Sequence, residues 1–214
     1  MLTIVDRGCV MTTKQAIRQL VKLRLGKLSS AEISRQSEEV SRLIRDTDAY
    51  RAAENIAFYM HIQHEAETLR MIENAFQDNK RVYLPRVARI GAFKAFDTQK
   101  SHLEMLQVQS IDDLKSLSRG KFGIIEPKNG PNCLLNGGLD CIVVPGVAFS
   151  PDGQRMGHGA GYYDSYISEH IELAGRRPYL MGICLAEQVF DSLPVEEHDQ
   201  KMDIVIFDKC SNSS

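Results

Sequence analysis

Residues 150–164 read Ser-Pro-Asp-Gly-Gln-Arg-Met-Gly-His-Gly-Ala-Gly-Tyr-Tyr-Asp, gathering four of the chain's 15 glycines (Gly153, Gly157, Gly159, Gly161) around Arg155. Glycines at alternate positions let backbone N–H groups converge, and a helix starting behind them adds positive potential at its N-terminus. Together they suit an anionic phosphate. The Arg155 guanidinium stays charged and can grip phosphate oxygens with two N–H bonds. The same glycines could equally serve the turns of a surface loop. Neither a Walker loop, which needs Gly-Lys-Ser/Thr, nor the dinucleotide G-x-G-x-x-G is present. The residues themselves reach a phosphate-binding loop and stop there.

Other side chains are ambiguous in the same way. Lys14 and Arg18, four apart, project from one side of a helix. Lys14 falls within the apolar stripe, where the helix alone favours a snorkelling lysine over a cation aimed at an anionic ligand. Asp164 suits the first turn of a helix, and Asp199 sits among Glu196, Glu197 and Asp203, as on a solvated acidic face. Glu65 and Glu67 alternate as exposed residues do, and Tyr162 and Tyr163 fit core packing. His61 and His64 lack a matching Cys or third His, so zinc is not expected. Cys141 reads as packing in a buried strand.

The elements that must position these residues alternate strand and helix. A first helix runs from about Thr13 with Ile17, Leu20, Val21, Leu25 and Leu28 on one face. Ser29 and Glu32 form a capping box for a second helix carrying Ile33, Val40, Leu43 and Ile44. Strands are expected at residues 55–60, 81–85, 141–149, 180–185 and 203–207, with shorter ones near 92–96 and 122–125. A helix follows residues 65–68, carrying Leu69, Ile72 and Phe76. Another spans residues 164–174, turning Tyr166, Ile167 and Ile171 inward and stopping at Gly175. This rhythm predicts an α/β fold, a single three-layer Rossmann-like domain with a mostly parallel sheet flanked by helices. The glycine loop would leave the carboxyl end of the continuously apolar strand 141–149, where open α/β sheets place ligands. Residues 1–12 read as an N-terminal extension, 13–210 as the domain and 211–214 as a polar tail.

Composition narrows the classes. The 214 residues are 43% hydrophobic and 25% charged, as in an ordinary globular protein. With 26 Lys and Arg against 28 Asp and Glu, no basic surplus points to nucleic acid. No apolar run approaches a membrane span. The five cysteines are scattered, without a C-x-x-C pair, which fits a reducing compartment. The first ten residues lack a secretory pattern. A cytoplasmic protein is expected from these features, and the resemblance that follows implies a monomer with a small-molecule substrate.

Pro145-Gly146-Val147-Ala148-Phe149 followed by Gly153-x-Arg155-Met156-Gly157-x-Gly159-x-Gly161-Tyr162-Tyr163-Asp164 resembles the signature of the 5-formyltetrahydrofolate cyclo-ligases. The resemblance extends to Lys14-x-x-x-Arg18, Leu28-Ser29, Arg35-Gln36-Ser37, Pro85-Arg86, Gly137-Gly138-Leu139-Asp140 and Leu193-Pro194-Val195-x-x-x-Asp199-x-Lys201-x-Asp203. It implies an enzyme that closes 5-formyltetrahydrofolate to 5,10-methenyltetrahydrofolate with ATP and Mg²⁺. It implies that Lys14, Arg18 and the stretch Arg155, Met156, Gly157, His158, Gly159, Ala160, Gly161, Tyr162 and Tyr163 contact ATP. Met60, Glu65 and the residues from His158 to Tyr162 would face the folate, Asp164 and Asp199 would hold Mg²⁺, and Arg155 would stabilise phosphoryl transfer. His158 and Ala160 depart from close relatives, which usually carry Arg or Lys and Gly or Lys there; His158 is the weaker, pH-dependent cation.

The implied chemistry explains these demands. The formyl amide oxygen is a poor leaving group, and phosphorylation by ATP would make it a good one before N10 attacks intramolecularly. Such a transfer asks for positioning and charge neutralisation. Two rivals remain at this level: another phosphate-handling enzyme on a similar sheet, such as a sugar-phosphate isomerase or CoA transferase, and a folate-binding module without turnover.

Overall fold

A computed structural model describes residues 13–89, 101–120, 123–196 and 198–212. Strand β1 (Asn55–Ala57) lies inside a six-stranded sheet, between β2 (Arg81–Arg89) and β6 (Cys141–Val144). Beyond β6 come β9 (Tyr179–Ile183) and β10 (Ile204–Ile206); beyond β2 comes β3 (Ser101–Val108). All neighbours are parallel except β3, which runs antiparallel to β2 at the edge. The fold is therefore the expected domain with a mostly parallel sheet flanked by helices.

Alternating side chains divide the core into two layers. Ile56, Val82, Cys141 and Val143 point to one face, where they meet Ile17 and Val21 of α1 (Lys14–Leu25), Val40 and Ile44 of α2 (Ser30–Asp46), Tyr50 of α3 (Asp48–Ala52) and Ile72 of α4 (Leu69–Gln77). Ala57, Tyr83, Ile142 and Val144 point to the other, against Tyr166 and Ile167 of α6 (Tyr162–Ala174). Every residue of β6 is fully buried, as a central strand covered on both faces requires. Ser29 caps α2 as the sequence predicts, accepting from Glu32 N–H (3.1 Å), and Thr13 caps α1, accepting from Ala16 N–H (3.2 Å). Gly175, at φ 68°, closes α6 in the left-handed conformation.

Four details depart from the sequence reading. The apolar run 141–149 is not one strand: it breaks at Pro145-Gly146, and β7 (Ala148–Phe149) turns aside to pair antiparallel with β8 (Arg155–Met156). Proline has no N–H for the ladder, and that break sets the entry to the glycine loop. Strand β3 and helix α5 (Ile111–Ser116) stand in a region read as irregular. Residue 122 of the expected strand 122–125 lies outside the described residues, and the pairing seen there is a small hairpin of β4 (Ser118–Arg119) with β5 (Ile125–Glu126). Leu20 and Ile171 are 39% and 36% exposed, at the margins of their helices rather than inward. The expected strand 92–96 and the extension 1–12 lie outside the described residues, while Ser211 and Asn212 finish a short 3-10 turn begun at Lys209.

Candidate active site

The β7–β8 hairpin, with Phe149 opposite Arg155, delivers Arg155 to the mouth of the sheet. Its tip closes through Gly153 N–H to Ser150 O (2.9 Å) and Ser150 N–H to Gln154 O (3.0 Å). The Arg155 side chain turns inward and is 6% exposed. Its Nη2 donates to both oxygens of Asp164, at 2.7 and 2.6 Å, and Nη1 donates to Pro145 O at 3.3 Å. Its Nε is buried with no partner. A Cβ on Gly157 would lie 3.1 Å from Nη1, so the glycine there lets the chain pass close over the guanidinium. Asp164, in the first turn of α6, also accepts Gln200 N–H at 3.0 Å.

Beyond Arg155 the loop is clamped from the other side. Arg18 donates from Nε (3.3 Å) and Nη2 (3.1 Å) to Gly157 O. Gly161, at φ 65°, starts α6 with no side-chain cap, so the first-turn N–H groups are left for another acceptor. Burial lowers the His158 pKa, and the positive charges of Arg18 and Arg155 lower it further, so the imidazole is neutral near pH 7. His158 is thus a still weaker cation than a solvated imidazole, and the permanent positive charges here are Arg18 and Arg155. Tyr162 fixes its hydroxyl 2.7 Å from Ser101 Oγ on β3.

The segment 193–202 straps over the loop through Leu193 N–H to Gln154 Oε1 (2.7 Å), Gln200 to Asp164, and Met202 N–H to Gly153 O (2.8 Å). It carries Asp199 to the start of α1, where Lys14 Nζ lies 3.2 Å from Asp199 Oδ2 and 2.9 Å from Glu196 Oε1. Asp199 Oδ2 also accepts Glu196 N–H at 2.8 Å.

Against this loop opens a cavity of about 390 Å³. Met60, Glu65, Arg155, Gly157, His158, Ala160, Gly161, Tyr162, Tyr163 and Asp164 line it, so most of the residues singled out in the sequence meet at one place. Met156 does not: its side chain is buried in the core, and its carbonyl accepts Val147 N–H at 2.7 Å. Lys14, Arg18, Gly159 and Asp199 stand outside the lining, and Arg18 and Asp199 connect to it through Gly157 and through Gln200, the neighbour that touches Asp164. Sequence reasoning missed Tyr59, Pro85, Val87, Leu103 and Glu126 as parts of the walls, to which Ile62, Ile124 and Pro145 also contribute. Burial pushes the Glu65 carboxyl up to about 7 despite its bond from Ile62 N–H at 3.0 Å. The floor is a fixed cation, the rim an uncapped helix start, and the wall a carboxyl poised between its two states. That arrangement can orient an anion beside a ring bearing N–H donors.

A family model described as the 5-formyltetrahydrofolate cyclo-ligase family matches residues 10–208. The chain belongs to that family. A 5-formyltetrahydrofolate cyclo-ligase of Saccharomyces cerevisiae is 35% identical over 203 residues, covering 92% of this chain and 95% of its own. The mouse cyclo-ligase is 31% identical over 202 residues, covering 93% and 95%. The solved 5,10-methenyltetrahydrofolate synthetase of Aquifex aeolicus superposes with a TM-score of 0.68 at 27% identity, covering 90% of this chain and 88% of its own. A synthetase from Mycoplasma pneumoniae, 23% identical with a TM-score of 0.64, shares the fold. Among the described residues no helix is long and apolar enough to cross a membrane, and no three His, Cys, Asp or Glu side chains gather as a ready-made metal site.

Proposed function

We propose that this chain converts 5-formyltetrahydrofolate to 5,10-methenyltetrahydrofolate, consuming ATP, and that the reaction runs in the cavity under the glycine loop. One observation carries the reading. Arg155 is buried at the cavity floor, locked by Asp164, with Nε lacking any partner beside the uncapped start of α6. A pre-set cation and free backbone donors are what a transferring phosphoryl group needs, because that chemistry asks for positioning and charge more than for a nucleophile.

Roles follow from position. The triphosphate lies along residues 157–161 and the first turn of α6, with Arg18 holding the loop through Gly157 O. The pterin enters among Met60, Tyr59 and Tyr163, its N–H donor edge toward Glu65. A carboxyl held near neutrality by burial binds such an edge without the full cost of a buried charge.

The donor set fits Mg²⁺ unevenly. Asp164 has both oxygens engaged by Arg155 and one also by Gln200, whereas Asp199 keeps Oδ1 clear of its contacts to Lys14 and Glu196. Asp199 would hold the ion with phosphate oxygens and water, and the ion would supply charge neutralisation on the phosphates. Asp164 then serves to fix Arg155. Lys14, released from Asp199, is free to turn to the same phosphates. The four described cysteines are free thiols, three of them buried, which supports a reducing, cytoplasmic setting.

The test is direct. Purified protein with ATP, Mg²⁺ and 5-formyltetrahydrofolate should develop the methenyl chromophore and release one ADP per turnover, with no ADP when the folate is omitted. Folate-independent ADP release, or folate binding without the chromophore, would overturn the reading.

A further inference from the structure

Between β1 and α4 the chain makes an excursion, residues 58–68, that supplies Tyr59, Met60, Ile62 and Glu65 to the cavity. The excursion is strained. His64 stands at φ 68°, in the left-handed region that side-chain-bearing residues rarely adopt, and its Nδ1 is buried without a partner among the described residues. Such strain persists where the surrounding bonds over-determine it. Those bonds lie at the base of the excursion.

His61 and Thr68 close that base. His61 Nδ1 accepts the Thr68 N–H at 3.1 Å, the His61 N–H donates to Thr68 Oγ1 at 3.3 Å, and Thr68 Oγ1 donates to Tyr59 O at 2.7 Å. With the Thr68 hydroxyl hydrogen committed to Tyr59, the 3.2 Å approach of Nδ1 to Oγ1 carries no hydrogen, and the ring proton belongs on Nε2. Thr68 is fully buried, so removing the imidazole would strand its N–H. Tyr59 Oη adds a tie to Ala66 O at 3.0 Å. Within this clasp Glu65 closes a turn on itself: its N–H donates to Ile62 O at 3.2 Å while its Oε2 accepts the Ile62 N–H. His61 lines the adjoining groove rather than the cavity, so it holds the wall from behind.

We propose that His61 is a positioning residue for folate binding, fixing Met60 and Glu65 at the cavity by clasping Thr68; the inference rests on the cyclo-ligase reading above. The imidazole acts as a neutral acceptor, neither touching substrate nor exchanging a proton with it. One acceptor atom at the Nδ1 position is enough for that role. Asparagine can supply it, because its carboxamide oxygen stands the same number of bonds from Cα as Nδ1 does. Alanine cannot.

The experiment compares the parent, His61→Ala and His61→Asn by steady-state kinetics and by NMR titration of the Glu65 carboxyl carbon, with a circular dichroism melt to verify folding. His61→Ala should raise KM for 5-formyltetrahydrofolate roughly five- to tenfold, the scale of one hydrogen bond lost from a binding geometry. Its kcat and KM for ATP should stay near the parent values, because uniform binding of the folate is lost and the chemical step is not. The Glu65 pKa of about 7 should move toward the solvated value of roughly 4.3 as the turn opens to water. Tyr59 and Tyr163, whose hydroxyls face that carboxyl, are the same in all three proteins. His61→Asn should restore both readouts. A purely structural histidine would lower the melting temperature and leave the folate KM of the folded protein unchanged. A folded His61→Ala chain with parental folate KM therefore overturns the assignment, as does an equal rise in KM for ATP or an Asn variant no better than Ala. A parent protein that forms no methenyl product overturns the cyclo-ligase reading instead. The clasp is then decided by the Glu65 titration alone, and a titration unmoved in His61→Ala overturns it.

Discussion

Arg155 and Asp164, nine positions apart, meet as a buried ion pair in which one guanidinium nitrogen bonds both carboxylate oxygens at 2.7 and 2.6 Å. Their side chains are 4% and 9% exposed. Each charge is tolerated there because the other is present, and removing one strands its partner. Asp164→Ala should therefore lower stability by about 3–5 kcal/mol, measured by urea denaturation. The double variant Arg155→Met/Asp164→Leu should regain most of that loss and still show no turnover, since the cation at the cavity floor is gone. A cost below about 1 kcal/mol for Asp164→Ala would mean that the pair behaves as a solvated one.

Glu65 gives a pH signature with a definite sign. Its folded pKa of about 7 lies above the unfolded value of roughly 4.3. Below that lower value both states are protonated and nothing is lost. As pH rises the unfolded carboxyl ionises first, so the unfolded chain binds fewer protons and stability falls until the folded carboxyl ionises too. Glu65→Gln escapes this loss while keeping an oxygen for the Ile62 N–H. Its melting temperature should match the parent near pH 4 and exceed it increasingly up to pH 8, while KM for the folate rises. Equal melting temperatures at both ends would place Glu65 in solvent.

At Lys14 the partition between stability and binding should reverse. Lys14 and Asp199 are 25% and 18% exposed in their side chains, and Glu196 at 55% contributes a screened charge. Lys14→Met should change stability by less than about 1 kcal/mol. It should weaken ATP binding measured by titration calorimetry, with folate binding unaffected. Unchanged ATP affinity would leave Lys14 as a strap tying α1 to the segment 193–202 and nothing more.

How far the sequence could be read depended on how local each interaction is. Ser29 was legible as a cap because it bonds a backbone N–H three residues on. Strand β6 was legible because four consecutive apolar residues match a strand buried on both faces. The glycine loop was legible as a turn between a strand and a helix, while its spacing left phosphate binding and plain surface turns both open. The run stays apolar to Phe149, so hydropathy did not show that the strand ends at Pro145-Gly146 and that Ala148–Phe149 pairs instead with Arg155–Met156. Strand β3 carries alternation in Leu103 and Met105, but two alternating positions are too few to mark a strand. The pairings of Arg155 with Asp164 and Lys14 with Asp199 were beyond reach, since loop paths set them. Glu126 had no distinguishing neighbour in sequence; only the fold brings it to the same cavity as Glu65.

Gly153 carries the last prediction because backbone alone explains it. The residue sits at φ 96°, outside the range that side-chain-bearing residues favour, and a Cβ there would collide with the carbonyl oxygen of Met202. Gly153 O also accepts Met202 N–H at 2.8 Å, so the two chains are in contact on both sides. Neither can yield without moving the strap, and the strap carries the Gln200 N–H that bonds Asp164. Gly153→Ala should cost stability and also loosen the Arg155–Asp164 pair, so kcat falls together with the unfolding midpoint. Gly161→Ala is the control: its φ of 65° is strained, yet nothing lies within 4 Å of the added methyl, so its cost should be confined to roughly 1–2 kcal/mol of backbone strain. Hydrogen exchange at the Gln200 amide separates the cases, faster in Gly153→Ala and near parental in Gly161→Ala. Parental exchange in both would uncouple the hairpin tip from the cavity floor.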